Sequence, residues 1–168
     1  MKHYIFIFKE CALFEVVLLA NFLSSQNEQV VIVGEEETVK VHEGFKIQVD
    51  MLLKDIDIET IKSFTITGGN PSNLVDKASL KSLLLKLQNN SDVLIGAICG
   101  GVYIISELLE IDFNKINKPD VFLYENILLS PPNKYVDFAI QMLKEMNLYK
   151  NEEDYLETIK FFKEFKAE

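Results

Sequence analysis

Hydrophobic and polar positions along this chain fall into blocks that change period several times, and each change marks an element. His3-Tyr4-Ile5-Phe6-Ile7-Phe8 is a continuous apolar run rich in β-branched and aromatic residues, which predicts a strand covered on both faces. Residues 12–24 then carry apolar side chains at helical spacing, and Gln29-Val30-Val31-Ile32-Val33-Gly34 reads as a second buried strand. The alternation in Val39-Lys40-Val41 and Phe45-Lys46-Ile47-Gln48-Val49 predicts an exposed hairpin or a sheet edge. Ser63-Phe64-Thr65-Ile66-Thr67 is a strand running into the turn Gly68-Gly69-Asn70-Pro71. Ser72 or Asn73 is predicted to cap a helix reaching about Asn89, with Leu80, Leu83, Leu84 and Leu87 on its inward face. Another apolar strand, beginning at Val93, meets a helix through Cys99-Gly100-Gly101. Ile127-Leu128-Leu129-Ser130 is a last short strand. Residues 133–146 form an amphipathic helix, and residues 151–166 a final one whose early acids and late lysines suit the helix dipole. Strands alternating with helices imply βα units, hence an α/β three-layer sandwich with a mostly parallel sheet and helices on both faces.

Length and composition narrow this further. A chain of 168 residues, 48% hydrophobic and 26% charged, suits one globular domain spanning residues 1–168. A net charge of −9 with scattered lysines argues against nucleic-acid binding, which needs clustered positive charge. The apolar stretch 4–23 is broken by Lys9, Glu10 and Glu15, so no membrane span is expected. Two cysteines make no disulfide framework, and no small-residue cleavage site follows the first strand, which together imply a reduced, cytoplasmic setting. Cys11, Cys99, His3 and His42 show no metal-ligand spacing, so no metal is expected. His3 reads as structural, His42 as a surface residue and Cys11 as a packing residue.

The candidate chemistry lies in Val93-Leu94-Ile95-Gly96-Ala97-Ile98-Cys99-Gly100-Gly101-Val102-Tyr103. A side chain on such a tight strand-to-helix turn projects above the sheet, while the glycines free backbone N–H groups for a developing anion. A cysteine there, with an ordinary pKa near ~8.5, is open to activation by the helix N-terminus. The competing reading is a packed core cysteine, since free cysteine is among the most buried residue types.

Taken together, Ala97-Ile98-Cys99-Gly100-Gly101, the strand ending Thr67-Gly68-Gly69-Asn70-Pro71, Glu15 in the first helix, and Ile127-Leu128-Leu129-Ser130 followed by Val136-Asp137-Phe138-Ala139 carry a resemblance. The chain resembles the ThiJ/PfpI family of the class I glutamine amidotransferase-like superfamily over nearly its whole length. The resemblance implies a flavodoxin-like sheet, a homodimer, and Cys99 as nucleophile with Glu15 as the carboxylate against its sulfur. It also implies Gly69 and Gly100 as oxyanion-hole donors, Asn70, Pro71 and Gly101 as substrate contacts, and no cofactor. A carboxylate beside a thiolate is repulsive unless one of them holds a proton, so Glu15 is expected to be protonated and to donate to Cys99. Acyl-transferring members of the family place a histidine directly after the cysteine or on a downstream loop. Here Gly100 follows Cys99, neither His3 nor His42 matches a triad position, and the segment between the elbow helix and the last strand is short.

Three functions remain open at this point. One is a hydrolase, amidase or glyoxalase/deglycase-like enzyme acting on a small carbonyl or amide. Another is a redox or stress-response protein with Cys99 as oxidation sensor. The third is a catalytically inactive member acting through partners.

Overall fold

A computed structural model of the chain describes residues 1–166. Its main sheet has seven strands in the order β5-β2-β1-β6-β7-β9-β8. They are β1 (Lys2–Ile7), β2 (Gln29–Gly34), β5 (Met51–Leu52), β6 (Ile61–Ile66), β7 (Leu94–Ile98), β8 (Phe122–Tyr124) and β9 (Ile127–Ser130). All pairs are parallel except β8 with β9. β3 (Thr38–Lys40) and β4 (Lys46–Gln48) form a separate antiparallel hairpin, the one predicted from alternation. The apolar run 3–8 earns its pattern by lying mid-sheet, because β1 pairs on both sides and every one of those side chains is buried.

Helices α1 (Phe14–Ser25), α5 (Tyr135–Glu145) and α6 (Glu152–Phe162) pack on one face of the sheet. On the other lie α2 (Lys77–Gln88) and α3 (Gly100–Leu108), and the short α4 (Phe113–Ile116) sits against α3. Leu80, Leu83, Leu84 and Leu87 are buried as their spacing predicts. The fold is thus the three-layer, mostly parallel sandwich expected.

Several boundaries differ from the sequence reading. Helix α1 starts at Phe14 because Ala12 is drawn into a bridge, its N–H donating to Gly68 O at 3.0 Å. Neither Ser72 nor Asn73 caps α2. Asn70 Oδ1 accepts from Ser72 N–H at 3.1 Å, tying residues 70–73 into a turn, and Asp76 is the cap, accepting from Ser79 N–H at 3.0 Å. Helix α6 ends at Phe162, four residues short of its predicted end, while Asn151 caps it as the pattern implies. Strand β8 occupies part of the segment read as a short connection.

The strand order reverses between β1 and β6: the chain leaves β1 toward β2 on one side, then returns to β6 on the other. In open α/β sheets the crevice for ligands lies at the carboxyl ends of the strands at such a switch. The loops after β1, β6 and β7 meet there.

Candidate active site

Strand β7 ends at Ile98, and Cys99 turns the chain into α3 with φ 56° and ψ −118°. A left-handed φ costs a side-chain-bearing residue about 1–3 kcal/mol and persists only where the surroundings fix it. They do so here: Cys99 N–H donates to Ser130 O at 2.9 Å, and Val102 N–H to Cys99 O at 3.1 Å. Gly100 has to be glycine, because a Cβ there would lie 1.9 Å from Gly69 O. That close approach brings the two backbones together beside the sulfur, and the Gly100 and Gly69 N–H groups pull the thiol's pKa down. Gly69 itself has φ +128° and packs so tightly that its Cβ would meet Cys11 Cα at 2.8 Å.

Glu15, in the first turn of α1, is only 2% exposed. Its Oε2 accepts from Gly68 N–H at 3.0 Å, and its carboxyl hydrogen-bonds Cys99. Glu15 is thus a buried carboxyl and not the solvated one usual on a helix. Burial pushes the Glu15 carboxyl above its usual range, against the pull of the Cys99 and Gly68 hydrogen bonds. Burial also raises the Cys99 thiol, as do the charge and hydrogen bond of Glu15, while the Gly100 and Gly69 donors pull it down. Two such groups in contact titrate as a pair that holds one proton between its two steps.

The remaining candidate residues divide. Asn70 is exposed, and its Oδ1 is committed to Ser72, accepting from the hydroxyl at 2.6 Å as well as from the amide, which leaves Nδ2 for a ligand. Pro71 is half-buried at the start of the same turn. Gly101 is buried, and a Cβ there would lie 2.7 Å from Ile66 O and 3.1 Å from Thr67 O. Its smallness lets α3 pack against the end of β6. Two residues escaped the sequence reading. Gly68 anchors Glu15, and a Cβ there would lie 2.0 Å from Glu15 Oε2 and 2.7 Å from Cys99 Cβ. Glu43 accepts from Leu13 N–H at 3.2 Å and Phe14 N–H at 2.9 Å, at the start of α1. The Gly-Gly pair hinted at the first; nothing local marks the second.

Neither histidine hydrogen-bonds the pair among the described residues. His3 is fully buried, with Nδ1 2.8 Å from Ser63 Oγ and Nε2 3.0 Å from Glu28 Oε2, and His42 is exposed. Cys11 is fully buried, and burial raises its thiol. A cavity of about 700 Å³ lies among Lys62, Asp92, Asn126 and Glu145, toward the amino ends of the strands and away from Cys99. No described helix is long and apolar enough to cross a membrane.

A parallel sheet that presents a cysteine at positive φ, on a helix N-terminus beside a buried carboxyl, defines an α/β protein of the nucleophile-elbow class. The DJ-1/PfpI family model matches residues 1–111, and the chain belongs to that family. It is similar to the glutathione-independent glyoxalase DJR-1.2 of Caenorhabditis elegans, 35% identical over 88 residues, 52% of this chain. That match spans 47% of the relative, about half its length. Among solved structures, a DJ-1 superfamily protein from Agrobacterium tumefaciens superposes with a TM-score of 0.83 at 19% identity, covering 99% of this chain and 100% of that one. Oxidized Toxoplasma gondii DJ-1 gives 0.78 at 21% identity, covering 94% and 95%. Schizosaccharomyces pombe DJ-1 gives 0.80 at 15%, covering 97% and 99%. At these identities the structures speak for the fold.

Proposed function

We propose that this protein is a cysteine-dependent enzyme acting on small reactive carbonyls, in the manner of a glutathione-independent glyoxalase. The observation that carries the reading is the buried Glu15 carboxyl held between Gly68 N–H and Cys99, with the Gly69 and Gly100 amides on the sulfur. Burial disfavours charge on both groups, while two donors favour it on sulfur and one on the carboxyl. On this reading the shared proton resides on Glu15 and the thiolate on Cys99, and the two amide donors at the sulfur are what supports it.

That neither His3 nor His42 hydrogen-bonds the Cys99–Glu15 pair supports this substrate class. Amide hydrolysis must protonate a departing amine, which is histidine's task in most cysteine hydrolases. A 2-oxoaldehyde has no leaving group. The Cys99 thiolate adds to the aldehyde carbon, and the new oxyanion takes the Glu15 proton to give a hemithioacetal. The Glu15 carboxylate then removes the proton from that carbon. Reprotonation at the neighbouring carbon reduces the ketone as the first carbon becomes a thioester. Water hydrolyses the thioester, releasing a 2-hydroxy acid and the thiol. The sum is oxoaldehyde plus water, with no external oxidant or reductant.

Methylglyoxal, supplied without glutathione, tests this. The expected result is lactate formation that Cys99→Ala abolishes and Glu15→Gln severely slows. No lactate from the unmutated protein, or an unchanged rate in Cys99→Ala, would overturn the reading. The paired amide donors on the sulfur favour a second one, in which Cys99 is oxidised by peroxide and the product's oxygens are held by those N–H groups. Intact mass after graded peroxide tests it, and no added oxygen on Cys99 defeats it.

Assembly as a homodimer is part of the same proposal. A mostly apolar groove of about 610 Å³ runs between Leu13, Phe14, Val17, Tyr135 and Phe162, with Phe14 48% and Val17 52% exposed. Val17→Lys converts a dimeric solution mass to a monomeric one; a monomeric unmutated chain refutes the dimer.

A further inference from the structure

Helix α1 begins at Phe14, and the N-cap position before it is Leu13, whose side chain makes no capping hydrogen bond. The missing cap comes from the β3–β4 hairpin. That hairpin runs along the β1–α1 loop through three successive links: Glu10 N–H to Lys40 O at 2.8 Å, His42 N–H to Cys11 O at 2.8 Å, and the two Glu43 oxygens to the Leu13 and Phe14 amides. Glu15 is two residues past the cap position. A helix N-terminus ordinarily stabilises a carboxylate in its first turn, which would draw the proton off Glu15. Here those amides already serve Glu43, and a second negative charge stands close to the buried carboxyl.

We infer that Glu43 is a positioning residue that keeps Glu15 protonated, by occupying the α1 N-terminus with its own charge and by holding α1 in register against the elbow. The groups facing this arrangement are Cys99 from the α3 N-terminus, Cys11 from the β1–α1 loop and His42 beside Glu43 in the hairpin turn. Although burial works against it, the donors from Phe14, its own backbone and Leu13 hold the Glu43 carboxyl below the usual range, so it stays ionised at neutral pH. Its charge adds to the rise of the Glu15 carboxyl.

The inference rests on the Cys99–Glu15 reading above, and one experiment separates the two. The protonated Glu15 C=O stretch is followed by infrared difference spectroscopy against pH, assigned by its loss in Glu15→Gln. Cys99 alkylation by iodoacetamide is followed in parallel by peptide mass. Glu43→Gln is expected to lower the Glu15 midpoint and to slow Cys99 alkylation at neutral pH roughly threefold, the range commanded by a charge at a helix terminus. In a Glu15→Gln background the same change leaves alkylation unaltered. Glu43→Asp, which keeps the charge, stays near the unmutated midpoint and carries the test should Glu43→Gln not fold. An ordinary carboxyl midpoint for Glu15 in the unmutated chain overturns both proposals. A raised midpoint that survives Glu43→Gln, or one that Glu43→Asp lowers as far as Glu43→Gln does, overturns the role of Glu43 alone.

Discussion

Replacing Gly68 by alanine adds one methyl group at the point where the three parts of the site touch. The position has no left-handed backbone, so the substitution carries no conformational penalty and its whole effect is steric. The new Cβ would lie 2.0 Å from Glu15 Oε2 and 2.7 Å from Cys99 Cβ. The carboxyl is the flexible end of a side chain and gives way first; Cys99 Cβ is fixed by the elbow. Glu15 therefore leaves its 3.0 Å bond to Gly68 N–H and its contact with the sulfur. A lost hydrogen bond costs about 1 kcal/mol and overpacking about 1–3, a sum of roughly 2–4 kcal/mol. At about 2–4 °C per kcal/mol for a chain of this size, the melting temperature falls by roughly 4–16 °C. Two assays read the outcome: a thermal melt, and the pH profile of Cys99 alkylation, which should lose the imprint of Glu15. Gly44→Ala serves as control, since nothing lies within 4 Å of its Cβ position and only its φ of +88° is strained. A Gly68→Ala protein that melts within about 2 °C of the parent and keeps its alkylation profile would refute the account of the site.

Two further outcomes follow from buried titrating groups. Burial lowers the His3 pKa, against the pull of Glu28, so below about pH 6.5 the unfolded chain takes up a proton that the folded chain resists. Stability then drops on acidification by up to about 1.4 kcal/mol per pH unit, and His3→Gln should flatten that part of a melting-temperature profile between pH 7 and 5; an unchanged slope contradicts it. Glu15 has the opposite sign: its raised pKa means the folded chain keeps a proton the unfolded chain gives up above its ordinary midpoint, so stability is lost as pH rises from there to the folded value. Glu15→Gln should therefore melt higher than the parent at pH 7, with the gain vanishing near pH 4, and an equal or lower melting temperature at pH 7 would count against a buried, protonated carboxyl.

The strands and the elbow were legible because the sequence carries their causes locally. A run buried on both faces is continuous and apolar, and a cysteine followed by two glycines at a strand end announces a tight turn. The α2 cap was misread because Asn70 satisfies Ser72 and only then does the chain reach Asp76, a competition among several good capping residues that spacing alone does not decide. Strand β5 is two residues long and β8 three, too short to show a period. The packing role of Gly101 was not legible, because its neighbours are the carbonyls of Ile66 and Thr67, an approach that exists only once β6 and α3 are packed. Glu43 illustrates the deeper limit. It acts 28 positions beyond Glu15 in the chain, through amides at 2.9 and 3.2 Å, and no local pattern distinguishes it from the other acids in a chain of net charge −9.

That acidity has a consequence at the site itself. Most cysteine nucleophiles are activated by a nearby cation, which stabilises the thiolate directly. In the proposed reading the neighbour is an acid, and activation would depend on keeping that acid neutral, with Glu15 buried and Glu43 taking up the helix-terminal amides that would otherwise favour its ionisation. The sulfur is then left with the uncharged amides of Gly69 and Gly100 as its stabilising donors. Such a pair gives up its second proton reluctantly as pH rises, because a second negative charge must then appear beside the first, whereas a histidine-activated thiol is already ionised in the ion pair over the neutral range. The pH profile of Cys99 alkylation should accordingly rise in two steps separated by a plateau, with a single step in Glu15→Gln; a single sigmoidal rise common to both proteins would place the proton elsewhere.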